Sequence, residues 1–254
     1  MTSSNRKKRC RIQNGIFRHP KNNGEDAKFF RSLPESHRIF AIPYGLSKQG
    51  IQKYGRQGMV HQWALKKIGA VIKKKPLKII TIFINGHTNV VATKNDHPIE
   101  VSNGFSLTDG VFSETGCGAI DSSIVFQLLA GRTSRMRIQD LLSKQSGFKA
   151  LAGGSVKLKS ILGRRDPKAK FAREVFCYQI LKYIGAYAAS LGGVDLILFI
   201  GEANLENVGF ARQLIGHLKF MGFKPKPNFS VGKSSFLTGE KASVKAYFLN
   251  YKDA

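Results

Sequence analysis

Residues 166–222 read DPKAKFAREVFCYQILKYIGAYAASLGGVDLILFIGEANLENVGFARQLIGHLKFMG, and they decide the fold. Phe171, Val175, Phe176, Tyr178, Leu181 and Ile184 recur near 3.6 residues, which predicts a helix with one apolar face. Pro167 suits a first helical turn and Asp166 before it suits an N-cap. Gly192-Gly193 stops the helix. Val194 to Ile200 is almost wholly apolar, as expected of a strand covered on both faces. Gly201 to Asn207 then forms a loop, and helical spacing resumes from Val208 to Phe220. A polar, glycine-containing loop at the carboxyl end of such a strand is where α/β proteins place ligands.

Working outward, Lys78 to Asn85 is β-branched and apolar, and Asn85-Gly86 is a hairpin signal. Thr88 to Thr93 and Pro98 to Val101 read as two further strands, with Asn95-Asp96 as the turn between them. Val60 to Ile72 predicts an amphipathic helix that ends in Lys73-Lys74-Lys75 and Pro76. Phe29, Phe30, Leu33, Phe40 and Ile42 make Lys28 to Tyr44 a segment expected to pack. Helices are predicted over Asp121–Leu129 and Ile138–Lys144, a glycine-bearing loop over Ser146–Ser155, and a last strand over Val244–Leu249. The order βββ-α…αβα is that of an α/β ribonuclease-H-like (actin-like kinase) domain, a mixed sheet with helices on both faces. This domain is expected to occupy residues 28–254, behind a basic, disordered leader at 1–27.

The 254 residues allow one large or two small domains with a sizeable core. An apolar fraction of 42% is that of a globular chain, and no apolar run is long enough to span a bilayer. The basic start has no apolar segment behind it, so it is no secretory signal. Cys10, Cys117 and Cys177 are unclustered and odd in number, against a disulfide framework or zinc site and in keeping with a reducing cytoplasm. Charge is the unusual feature: 41 Lys and Arg against 16 Asp and Glu, a net +25. Residues 1–24 hold seven basic and no acidic residues, and residues 36–95 eleven and none. Affinity for phosphate polyanions is the physical expectation. The plainer reading is a compositional bias toward lysine at free surface positions, and no RNA- or DNA-module motif accompanies the charge.

Four collinear stretches carry a resemblance. FAREVFCYQILKYIGAYAASLGG at 171–193 resembles a long helix with a Gly-Gly end. SNGFSLTDGVFSETGCGAID at 102–121 follows S-M-G-F-T-P-L-E-G…G-T-R-S-G-D-I-D. SGFKALAGGSVKLKSI at 146–161 follows S-G-L-x-x-L-S-G-G-S-x-D-x-R-D-I, and Ala41 to His61 follows A-L-P-Y…R-Y-G-F-H-G-T-S-H. In these four stretches the chain resembles the acetokinase family, whose acetate kinases phosphorylate acetate with ATP and Mg²⁺ between two actin-like domains. The resemblance runs from about residue 26 to the last residue. It implies ATP and Mg²⁺ as cofactors and a homodimer formed through this domain.

The same resemblance implies site residues and marks departures. Asp26 corresponds to a catalytic aspartate and His61 to the second histidine of G-F-H-G-T-S-H, whose first falls at Gln57. The nucleotide side corresponds to Asn85, Gly86, Lys159, Gly201, Glu206 and Asn207, and a metal-binding glutamate to Asp253. His87, in the same turn as Asn85-Gly86, reads as a turn residue. The family's phosphoryl-facing arginine falls at Gly116, its D-x-R at Lys157 and Lys159, and its loop G-G-I-G-E-N at Gly201–Asn207 with one residue inserted. The family's opening N-x-G-S-S-S strand would lie upstream of Met1, so a truncated kinase impaired by itself is expected. The other readings are one half of a split enzyme, or a basic scaffold protein that binds RNA or a ribosome.

Overall fold

The computed structural model describes residues 25–72, 78–106, 108–154 and 156–253. Most of the predicted leader, Cys10 and the lysine run at 73–75 lie outside the described residues. Six strands build one sheet: β1 (Lys78–Phe83), β2 (Asn89–Lys94), β3 (His97–Val101), β4 (Leu196–Gly201), β5 (Ser235–Phe236) and β6 (Lys245–Asn250). Their order is β3-β2-β1-β4-β6-β5. β1, β4 and β6 run parallel in the middle, while β2, β3 and β5 are antiparallel to their neighbours. The mixed ribonuclease-H-like sheet expected from the sequence is the sheet observed.

The helices are α1 (Glu25–Lys28), α2 (Glu35–Arg38), α3 (Tyr44–Lys48), α4 (Gly58–Val71), α5 (Ser122–Ala130), α6 (Arg135–Lys144), α7 (Gly147–Ala152), α8 (Leu158–Gly163), α9 (Pro167–Leu191) and α10 (Leu205–His217). Alternation along the central strands splits the core into two layers. Ile80, Ile82, Ile197 and Phe199 face α7 to α10. Ile79, Leu196, Leu198 and Ile200 face α4 and the aromatic pair Phe29 and Phe30. β4 is buried at every residue, as a strand covered on both faces must be.

Asp166 caps α9, accepting from the Ala169 amide at 3.1 Å, and Gly192 ends it at φ 65°. The buried side of α9 differs from the predicted one. Ala169, Ala172, Phe176, Ile180, Ile184 and Tyr187 lie inside, whereas Phe171 and Tyr178 are 56% and 62% exposed. At 100° per residue those two aromatics fall on the opposite side of the helix from Phe176 and Ile180. Ser146–Ser155, expected as a loop, contains α7, because Phe148 is drawn inward against the rings of Phe112 and Phe176. Ile42, expected to pack, is exposed, while Phe29, Phe30 and Leu33 are buried.

Candidate functional site

Three parallel strands end on one edge of the sheet, and the loops that follow them converge there. Phe83 stands opposite Ile200 in the β1–β4 register, and Gly201 opposite Asn250 in the β4–β6 register. The Ile84 amide donates to the Ile200 carbonyl at 2.8 Å, which brings the Asn85-Gly86 turn beside the Gly201–Asn207 loop. Gly201 suits this close approach: a Cβ there would come within 3.1 Å of the Ile84 carbonyl oxygen, a tight contact.

The loop after β4 closes on itself. Asn204 caps α10, its Oδ1 accepting from the Asn207 amide at 2.8 Å. Asn207 Nδ2 donates to the Glu202 carbonyl at 2.9 Å, and the Gly232 amide donates to the Ala203 carbonyl at 2.6 Å. Buried Asn250 accepts from the Ala203 amide at 3.3 Å. Glu202 points outward and pairs with Lys252 at 2.7 Å, which holds its carboxyl below the usual range. Lys159, exposed on α8, adds to the same field. Glu206 and Gly163 face a cleft of about 350 Å³ between α8, α9 and α10, with Leu162, Arg173, Gly209 and Phe210 in its wall.

Beyond β1, Asn85 Oδ1 accepts from the His87 amide at 2.9 Å and folds the turn locally. Glu114, which the sequence did not single out, stands against this turn. Its amide donates to the Gly86 carbonyl at 3.1 Å, and a Cβ on Gly86 would come within 2.8 Å of its carboxyl carbon. Glu114 Oε1 accepts from the Leu158 amide at 2.9 Å, at the first residue of α8, and Lys157 Nζ lies 3.9 Å from Oε2. A carboxylate of this chain therefore fills the anion-seeking start of α8, beside Gly86. Gly116, two residues on, is buried and carries no charge to the edge.

The remaining predicted residues have defined places. Asp26 sits at the start of α4, where the Gln57 and Met59 amides donate to its two oxygens at 2.8 and 3.2 Å. It thereby holds Gln57, which is in the left-handed region at φ 59°, and Gln57 Nε2 reaches the His87 carbonyl at 3.2 Å. Burial lowers the pKa of neighbouring Arg56, and Asp26 partly offsets that. His61, expected as a catalytic candidate, lies between α4 and the sheet. It has no exposed surface, its Nδ1 lies 2.7 Å from Thr81 Oγ1, and burial pushes its pKa down to about 3. Its Nε2 is buried with no hydrogen-bond partner among the described residues.

Asp253, expected as a metal ligand, holds the loop before β5. Ser234 Oγ donates to its Oδ2 at 2.5 Å and Asn250 Nδ2 to its Oδ1 at 3.0 Å. Among the described residues no group of three His, Cys, Asp or Glu could hold a metal ion. Both oxygens of Asp253 are thus engaged within the chain. Cys117 is partly buried, and burial raises its thiol pKa, so nothing here activates it. Among the described residues no helix is long and apolar enough to cross a membrane. Glu114, Asn250 and Ser234 left no trace in sequence because each acts through a partner remote along the chain.

Sheet order and the three parallel carboxyl ends define a domain of the ribonuclease-H-like class, the plan of actin-like kinases. The Acetokinase family profile matches residues 20–253. The acetate kinase of Bacteroides fragilis is 31% identical over 229 residues, covering 87% of this chain and 58% of its own length. That of Carboxydothermus hydrogenoformans is 32% identical over 230 residues, covering 87% and 57%. The crystal structure of Porphyromonas gingivalis acetate kinase superposes with a TM-score of 0.81 at 26% identity, over 89% of this chain and 59% of that one. An acetate kinase from Entamoeba histolytica gives 0.82 at 25% identity, over 89% and 61%. The chain belongs to the acetokinase family, and it spans somewhat under three-fifths of the length of the curated relatives quoted.

Proposed function

We propose that this chain is an acetate-kinase-type domain that keeps the family's nucleotide edge as architecture and is impaired, by itself, in phosphoryl transfer from ATP to acetate. The observation that carries this reading is Glu114. Transfer of a phosphoryl group is catalysed by positioning and by donors and cations aimed at its developing charge. Here the turn that would receive phosphate faces a carboxylate, and the nearby position expected to supply a cation is Gly116. Two like unit charges 4 Å apart repel by about 4 kcal/mol at the effective dielectric of a protein surface. A nucleotide phosphate at Gly86 thus meets a penalty where the reaction needs a gain. ATP remains the ligand class for this edge, with Asn85, Gly86, Lys159, Gly201, Glu206 and Asn207 around it. The ring would enter the cleft beside Glu206. Asp26 acts in this reading by holding the Gln57 turn in place.

Acetyl phosphate formation, trapped as the hydroxamate, tests the proposal on the purified chain with ATP, Mg²⁺ and acetate. No ATP-dependent product above background is expected; sustained turnover would sink it. Titration with ATP tests the role of Glu114 separately. Glu114→Gln keeps an acceptor for the Leu158 amide but removes the charge; because Lys157, 3.9 Å away, offsets most of that repulsion, a severalfold gain in ATP affinity is expected. An unchanged affinity would clear Glu114 as the obstruction.

A further inference from the structure

Residues 149–173 hold eight Lys and Arg and one acid, Asp166. Lys157 lies 3.9 Å from Glu114 and Lys149 donates to the Lys144 carbonyl; the other six divide into two sets. Arg164 and Arg173 turn inward. The Arg164 guanidinium donates to the Gly153 carbonyl at 2.7 Å and the Ala152 carbonyl at 3.1 Å, and pairs with Asp166 at 2.8 Å. Arg173 donates to the Ile161 carbonyl at 2.8 Å and to the Arg164 carbonyl. Together they lock α8 onto the start of α9. Lys159, Arg165, Lys168 and Lys170 are left outward and exposed, with no ion pair to an acid among the described residues.

α9 continues this surface. At 100° per residue its solvent side carries Lys168, Lys170, Phe171, Glu174, Tyr178 and Lys182, a stripe about 21 Å long. Lys182 Nζ lies 5.0 Å from the centre of the Tyr178 ring. Exposed aromatics two helical turns apart, set among unpaired cations on a rigid frame, are the two elements that single-stranded nucleic acid requires. Lysines track the backbone phosphates, and ring faces stack the bases. Surplus lysine alone accounts for the charge but not for two large rings left in water along the same line.

We propose that the outward side of α9, with Arg165 at its start, is a docking surface for single-stranded RNA. This stands apart from the impaired-kinase reading and needs no nucleotide at the β4 edge. The test measures anisotropy of a labelled 20-nucleotide RNA on the full chain across a salt series. Lys168→Glu/Lys170→Glu/Lys182→Glu is compared with Lys48→Glu/Lys66→Glu/Lys67→Glu, of equal charge change but placed on α3 and on α4 across the sheet. The first triple is expected to weaken binding at least tenfold and to reduce the log–log salt slope by about 2, at about 0.7 per phosphate contact on a single strand. The second triple is expected to change affinity less than threefold. Phe171→Ala/Tyr178→Ala, which removes only surface rings, is expected to lose severalfold in affinity with an unchanged salt slope. Equal losses from both triples would overturn the proposal, as would no binding at physiological salt. So would binding to anionic vesicles but not RNA, or a homodimer in solution that buries Tyr178.

Discussion

The loops at the two ends of β4 follow different rules. At the amino end, Gly192 and Gly193 stand at φ 65° and 116°, conformations that side-chain-bearing residues rarely adopt, so backbone geometry dictates the sequence. At the carboxyl end Gly201 makes a close approach to the Ile84 carbonyl without an unusual φ. Ala203, Asn204 and Asn207 make hydrogen bonds within the loop and to Asn250, while the buried Nδ2 of Asn204 has no partner among the described residues. One loop's residues are dictated by backbone conformation. The other rests on side-chain hydrogen bonds, and the strand between them is buried throughout.

The contrast can be broken hardest at the scaffold. Phe176 packs against the rings of Phe112, Phe148 and Phe210, and Phe176→Ala is expected to cost about 3–5 kcal/mol in urea denaturation. Acid probes the other core layer. Burial holds His61 at about 3, below its ordinary 6.5, so between those values the unfolded chain binds a proton that the folded one refuses. Its contribution is therefore complete above pH 6.5 and is lost as pH falls, by about 1.4 kcal/mol per unit. His61→Asn should flatten that part of the stability profile. Gly193→Val, at the constrained end of β4, is expected to cost about 1–3 kcal/mol by the same denaturation measurement. Asn204→Ala, at the other end, should cost about 1 kcal/mol through the lost cap of α10. A larger loss from Asn204→Ala than from Gly193→Val would reverse the contrast between the two loops.

The fold was legible wherever a local rule governs the residue. Asp166 and Pro167 marked the start of α9, Gly192 its end, Asn85-Gly86 and Asn95-Asp96 two turns, and the apolar run after Val194 the central strand. Periodicity misjudged the exposed side of α9, because Phe171 and Tyr178 share the residue types of a core while lying opposite it. The site was legible in outline only. Alignment to the family picked out Asn85, Gly86, Gly201 and Asn207, and strand register sets the ends of β1 and β4, just before these loops, side by side. It also proposed His61, whose burial depends on Thr81 in a strand twenty residues away. Glu114 was unreadable because its meaning lies in contacts with Gly86 and Leu158, distant in sequence and joined only by the sheet and α8.

Strand order carries a consequence in time. β1 pairs with β4, and more than a hundred residues separate Lys78 from Leu196. At roughly 5–20 residues per second of synthesis, the hairpin of β1 and β2 waits on the order of 6–24 s for its parallel neighbour. Throughout that interval one edge of β1, Lys78 to Phe83, presents unpaired amides and carbonyls to the surrounding cell. The chain is thus most vulnerable to aggregation while it is still being made, and slower translation between residues 100 and 195 would lengthen that exposure.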